Sequence, residues 1–106
     1  MKFVFHPEAE EELNLHVDYY NQCQANLGWD FAKEVYSAIQ NILTFPNAWT
    51  VLSKNTRRCL VNRFPFGILY QKKTNEIVIV AIMQLNRKPD YWQGRISQNR
   101  MRKLTK

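Results

Sequence analysis

The stretch Gln84-Leu85-Asn86-Arg87-Lys88-Pro89-Asp90-Tyr91-Trp92-Gln93-Gly94-Arg95 holds the densest set of residues able to do chemistry. It follows an apolar run and joins bases, a proline-set turn and paired aromatics. A guanidinium such as that of Arg87 grips a phosphate through two parallel N–H donors. Tyr91 or Trp92 can stack on an unpaired base. The same residues also have a structural reading, in which Tyr91 and Trp92 cap the open end of a core and Arg87 and Arg95 flank it. Trp92 is read as structural and Arg87 as functional. Further back, Arg57, Arg58 and Arg63 lie in a segment of alternating polarity, and Lys54 just before it. Gln84, one of the Arg57–Arg58 pair and Arg63 are expected on the open face of a sheet or at its rim.

The charges are divided along the chain. Residues 1–50 carry Glu8, Glu10, Glu11, Glu12, Asp18, Asp30 and Glu34 against Lys2 and Lys33, a net −5. Residues 51–86 come to +5 and residues 87–106 to +6. A basic second half can gather phosphates or another polyanion at one place. The alternative is a solvated surface with a basic end. A chain of 106 residues fits one domain. It buries roughly two thirds of its unfolded surface, enough for a core without staples. Residues 1–96 are read as that domain and 97–106 as a basic tail. Cys23 and Cys59 make neither a disulfide framework nor a zinc spacing, and both are read as buried or half-buried thiols in a reducing compartment. No signal segment and no apolar run of membrane length is present, so the chain is expected in the cytoplasm, away from membranes. No cofactor is expected.

The elements that must position these residues follow from periodicity. Lys2–Phe5 is short and strand-like. His6-Pro7 opens a helix, because proline lacks a donor that would be unpaired in the first turn anyway. Four glutamates crowd the positive end of its dipole. Ala9, Leu13, Val17 and Tyr20 form its apolar stripe. His16 in this helix is read as a surface or packing residue. Gly28 is expected to break the run before a second helix with Phe31, Val35, Ile39 and Ile42 as its stripe, stopped by Phe45-Pro46. Neither helix has a basic face, which argues against a DNA-reading helix pair. Residues 47–56 are expected as loop. A period of two begins at Arg57 and is bent at Phe64-Pro65-Phe66-Gly67. After a turn at 72–76, Ile77–Met83 is apolar on both sides, as a central strand covered on both faces requires. The expected fold is α+β, in the order β-α-α-β-β-β, with a helical hairpin on one face of a mainly antiparallel sheet.

Several segments resemble those of one family. HPEAEEEL is similar to its first-helix start, and LGWDF with VYSAIQNI and FPNAW to its second helix. RRCLVNRFPFGILY resembles its arginine-bearing hairpin, and AIMQLNRKPDYWQGR its last strand with an R-x-P-x-Y-W-x-x-R signature. Order and spacing together identify the chain as a member of the RelE/ParE superfamily of bacterial type II toxins, over Phe5 to Arg95.

The resemblance implies two branches. RelE-like members are ribosome-dependent mRNA endoribonucleases that need no metal. ParE-like members, the plasmid-stabilisation side, inhibit DNA gyrase by binding it. Both are neutralised by an antitoxin encoded beside them. A ribonuclease needs a base, an acid and positive charge on the phosphate. By the resemblance, Arg63 matches a phosphate-holding arginine of the central strand and Arg87 a second one, with Tyr91 or Lys54 as candidates for proton transfer. Arg57, Arg58, Arg63, Gln84, Arg87 and Arg95 are the candidates for meeting a partner or a phosphate. Many members place a histidine where Gln84 stands, and glutamine does not titrate near neutrality. The expectation is therefore a ParE-like toxin with an antitoxin and gyrase as partners. The RelE-like activity on ribosome-bound mRNA is the alternative, and a non-toxic interaction protein the third reading. A homodimer is left open.

Overall fold

The computed structural model describes residues 1–88 and 90–96. The basic tail at 97–106 and the turn-setting Pro89 lie outside the described residues. The order of elements is β1 (Lys2–Phe5), α1 (Pro7–Cys23), α2 (Leu27–Thr44), β2 (Thr50–Ser53), β3 (Thr56–Leu60), β4 (Phe66–Lys72) and β5 (Glu76–Gln84). The sheet runs β1-β5-β4-β3-β2. β1 pairs parallel with β5 and the remaining neighbours pair antiparallel. Among the described residues no helix is long and apolar enough to cross a membrane.

The α+β layout agrees with the sequence reading, with one strand added. β2 lies in the segment expected as loop. All four of its residues are exposed, so burial imposes no period on them, and the pairing with β3 is carried by backbone. The turn between β2 and β3 uses Asn55 at φ 69, in the left-handed region that asparagine tolerates.

α1 starts as its sequence implies. Pro7 stands in the first turn, and His6 caps the helix, its Nδ1 accepting the Glu8 N–H at 3.1 Å. Ala9, Leu13 and Val17 meet Phe31, Val35, Ile39 and Ile42 of α2, and both helices rest on Ile77, Ile79 and Ile82 of β5 and Phe66, Ile68 and Tyr70 of β4. His16 packs here, edge-on to Phe66 with ring centroids 4.8 Å apart.

Three local features depart from regular alternation or from the sequence reading. Regular alternation would put Ile79 and Ala81 on one face, but the β4–β5 register shifts between Leu69 and Tyr70, pairing Leu69 with Ala81 and Tyr70 with Ile79. That bulge leaves Val80 over and reverses the alternation. Ile79 and Ile82 therefore face the helices, while Val80, Ala81 and Met83 face away. Of the two thiols, Cys59 is buried but Cys23 is exposed at the end of α1.

Gly28 does not break the helical run, since α2 begins one residue earlier, after a link through Asn26 at φ 70. Its role is close approach. A Cβ there would collide with the Val17 carbonyl oxygen and meet the Asn21 side chain, whose Oδ1 accepts the Gly28 N–H at 2.8 Å. Backbone cannot yield as a flexible side chain does, so Gly28→Ala should cost about 1–3 kcal/mol. A Cβ at Gly94 meets nothing within 4 Å, and Gly94→Ala should leave the midpoint of urea unfolding unchanged or raise it. Equal midpoints for the two variants would contradict this packing.

Candidate functional site

β1 ends at Phe5, opposite Ile79, so β5 continues past Val80 without a strand on that side. Side chains take over. Glu12 of α1 is 8% exposed, and its Oε1 accepts the Ile82 N–H at 2.9 Å. Arg95, also 8% exposed, donates from Nη1 to the Val80 carbonyl at 2.9 Å. The two side chains are joined by Nη1–Oε1 at 3.0 Å and Nη2–Oε2 at 2.7 Å. This fork-on-fork pairing fixes orientation as well as distance. Glu8 lies 3.6 Å from Arg95 Nε. Burial works against the Arg95 charge, and Glu12, with Tyr91 and Glu8 adding to it, outweighs burial, so the pKa is raised overall.

The pair holds the segment Tyr91–Ile96 against the far face of the sheet. Trp92, 3% exposed, packs there with Leu69, Val80, Ala81 and Met83. The structural reading of Trp92 is what the structure shows, and the face expected to be open is covered at this point. Above it the Arg87 guanidinium stacks on the Tyr91 ring, 3.9 Å from its centroid. Arg87 Nη1 lies 4.0 Å from Glu12 Oε2, and half of the side chain stays exposed. Burial pushes the Tyr91 phenol above its usual range, with Glu12 adding to the shift and Arg95 and Arg87 opposing it. Arg87, Tyr91, Arg95 and Glu12 thus form one corner at the exit of β5.

The remaining candidates are dispersed. Arg57 faces the helices and ties down the loop after α2, donating to the carbonyls of Asn47 at 3.1 Å and Trp49 at 2.8 Å. Arg58 lies across Gly67 on the far face, so close that a Cβ on Gly67 would sit 2.9 Å from its Cδ. Arg63 is not on a strand. It stands in the bend before β4 at φ 72, its guanidinium 3.8 Å from both Asp30 and Glu34 of α2. Gln84 closes β5 opposite Phe66, and its carbonyl accepts the Arg87 N–H at 3.1 Å. Lys54 is exposed in the β2–β3 turn, at the end of the sheet where β5 begins and away from the corner. The set Arg63, Arg87, Tyr91 and Lys54 therefore does not converge.

Glu12 was missed by the sequence reading. Its signal was present, because position 12 falls inside the stripe 9-13-17-20 at the i+3 step from Ala9. Three neighbouring glutamates disguised it as one more helix-start acid.

An acidic helical hairpin laid on a sheet edged by bases, with a cation displayed on an aromatic ring at the sheet exit, defines a small α+β domain. The family described as ParE toxin of type II toxin-antitoxin system, parDE, matches residues 3–89, and the chain belongs to it. A solved chain from the chromosomal ParDE TA system of P. aeruginosa has the same fold, with a TM-score of 0.71 at 17% identity, over 81% of this chain and 97% of that one. No curated protein matches the chain.

The corner separates display from support. Arg87→Ala should change stability by less than about 1 kcal/mol, the range of an exposed cation–aromatic contact. Trp92→Ala should cost about 3–5 kcal/mol by emptying the far core. Urea unfolding of both variants checks this, and comparable losses would contradict it.

Proposed function

We propose that this ParE-family chain is the toxin of a type II pair, that it arrests growth by binding DNA gyrase, and that an antitoxin encoded beside it neutralises it. The observation that carries the choice of binding over cleavage is the state of the corner around Arg87. Cleavage of RNA needs groups that exchange protons near neutrality beside the phosphate. Gln84 does not titrate, and the Tyr91 phenol is shifted further from neutrality by its surroundings. The carboxylate of Glu12 is occupied by Arg95 and the Ile82 N–H. The His16 ring packs on Phe66, with Nδ1 directed at the Glu12 carbonyl 2.8 Å away. Lys54 lies at the other end of the sheet. What the corner offers is a half-exposed guanidinium of fixed direction, which suits recognition.

The ribonuclease reading draws on the same arginine as a phosphate holder and separates on substrate. Induction in growing cells, with mapping of RNA 5′ ends, and a supercoiling assay with purified gyrase distinguish the two. The expected result is inhibited supercoiling with intact mRNA, and weaker inhibition by Arg87→Ala. New 5′ ends within translated mRNA, lost in Arg87→Ala, would overturn the proposal. Normal growth without the antitoxin and uninhibited gyrase would place the chain with non-toxic interaction proteins.

A further inference from the structure

Gly67 stands near the start of β4, between Leu60 of β3 and Met83 of β5. Its φ is not in the left-handed region. The backbone therefore does not ask for glycine there, and a glycine within a strand weakens it. What the missing side chain provides is room. A Cβ on Gly67 would sit 2.9 Å from Cδ and 3.0 Å from Cγ of Arg58, and 3.5 Å from Cδ2 of Leu85. The Arg58 stem thus lies flat across the strand with Leu85 beside it, which fixes the direction of a side chain that would otherwise swing. Arg57, Arg63 and Arg95 are engaged within the chain. Arg58 is not. Among the described residues it forms no ion pair, and its Nε is buried without a hydrogen-bond partner. Leu60, on the same face by alternation, is 54% exposed, and Leu85 is 43% exposed. Two residues beyond Leu85 stands the half-exposed Arg87.

We propose that Arg58, held in place by Gly67, is a second displayed guanidinium, and that Arg58, Leu60, Leu85 and Arg87 form one surface that receives an acidic, partly apolar segment of the gyrase protein. The inference rests on the gyrase reading above and adds which face of the chain the target meets and by what chemistry. The two guanidiniums take carboxylates through paired N–H donors. The two leucines take apolar side chains between them. An oriented arginine in an apolar setting is the kind of anchor that carries much of the energy of an interface. Gly67 is a positioning residue, acting through Arg58 alone. A DNA backbone would match the arginines and leave both leucines in water, so the surface suits a polypeptide.

The test uses the full-length chain and purified gyrase without DNA, with Kd from calorimetry and the urea midpoint of each variant. Arg58→Ala should weaken binding about tenfold or more. Arg58→Lys should recover only part of that loss, since an ammonium lacks the planar fork. Leu60→Ser should act in the same direction as Arg58→Ala. Gly67→Ala should weaken binding with its urea midpoint unchanged or raised, because the flexible Arg58 stem gives way to the added methyl. In the Arg58→Ala background Gly67→Ala should have no further effect on Kd, as action through Arg58 requires. Lys33→Ala on α2 should leave Kd unchanged. An unchanged Kd for Arg58→Ala would overturn this surface, while binding by the unmodified chain would leave the gyrase reading intact. Tight binding of a short DNA duplex alone, lost in Arg58→Ala, would overturn it in favour of a nucleic-acid partner. Failure of the unmodified chain to bind gyrase would overturn both readings.

Discussion

A carboxylate on the first helix and a guanidinium near the end of the described chain close the side of β5 that β1 leaves open. Without Glu12 the Ile82 N–H would be buried without a partner, and without Arg95 so would the Val80 carbonyl. Each side chain also neutralises the other in a place too buried for either charge alone. The pair joins residues 83 positions apart. It ties α1, β5 and the C-terminal segment into one piece. Trp92 covers the far core because this segment is held, and Arg87 finds the Tyr91 ring in place for the same reason. Such a pair need not be more stabilising than apolar residues of the same shape. Its contribution is to define where the cation at the corner stands.

The split of charge along the sequence becomes a division of labour in space. Part of the basic half is used internally. Arg57 holds carbonyls, Arg63 faces the acids of α2, and Arg95 is buried on Glu12. Among the described residues, two groups of cations remain on the surface. Arg87 stands at the exit of β5, and Lys2, Lys54, Lys72 and Lys73 stand where β1 and β5 begin and β2 and β4 end.

Much of this was legible in the sequence. The helix stripes, the proline at the start of α1, the Phe45-Pro46 stop and the central strand all follow from local periodicity, and local periodicity survived folding. β2 was not legible, because an edge strand exposed on both faces has no burial pattern to betray it. The bulge at Val80 was invisible for the opposite reason, since a run apolar on both faces reads the same before and after a shift of parity. The site was harder still. Residue types marked Arg87, Tyr91 and Trp92, but only tertiary structure tells an arginine that donates to loop carbonyls, as Arg57 does to Asn47 and Trp49, from one that is displayed. The pairing of Glu12 with Arg95 has no local trace at all.

The dependence of the corner on that pairing is tested most directly by a double-mutant cycle on Glu12→Gln and Arg95→Met, read by urea unfolding. Each single change leaves a buried group uncompensated and should cost about 3–5 kcal/mol, with the double variant losing far less than the sum. Losses that add to within about 0.5 kcal/mol would show that the two side chains act independently, and would contradict the central place given to them here.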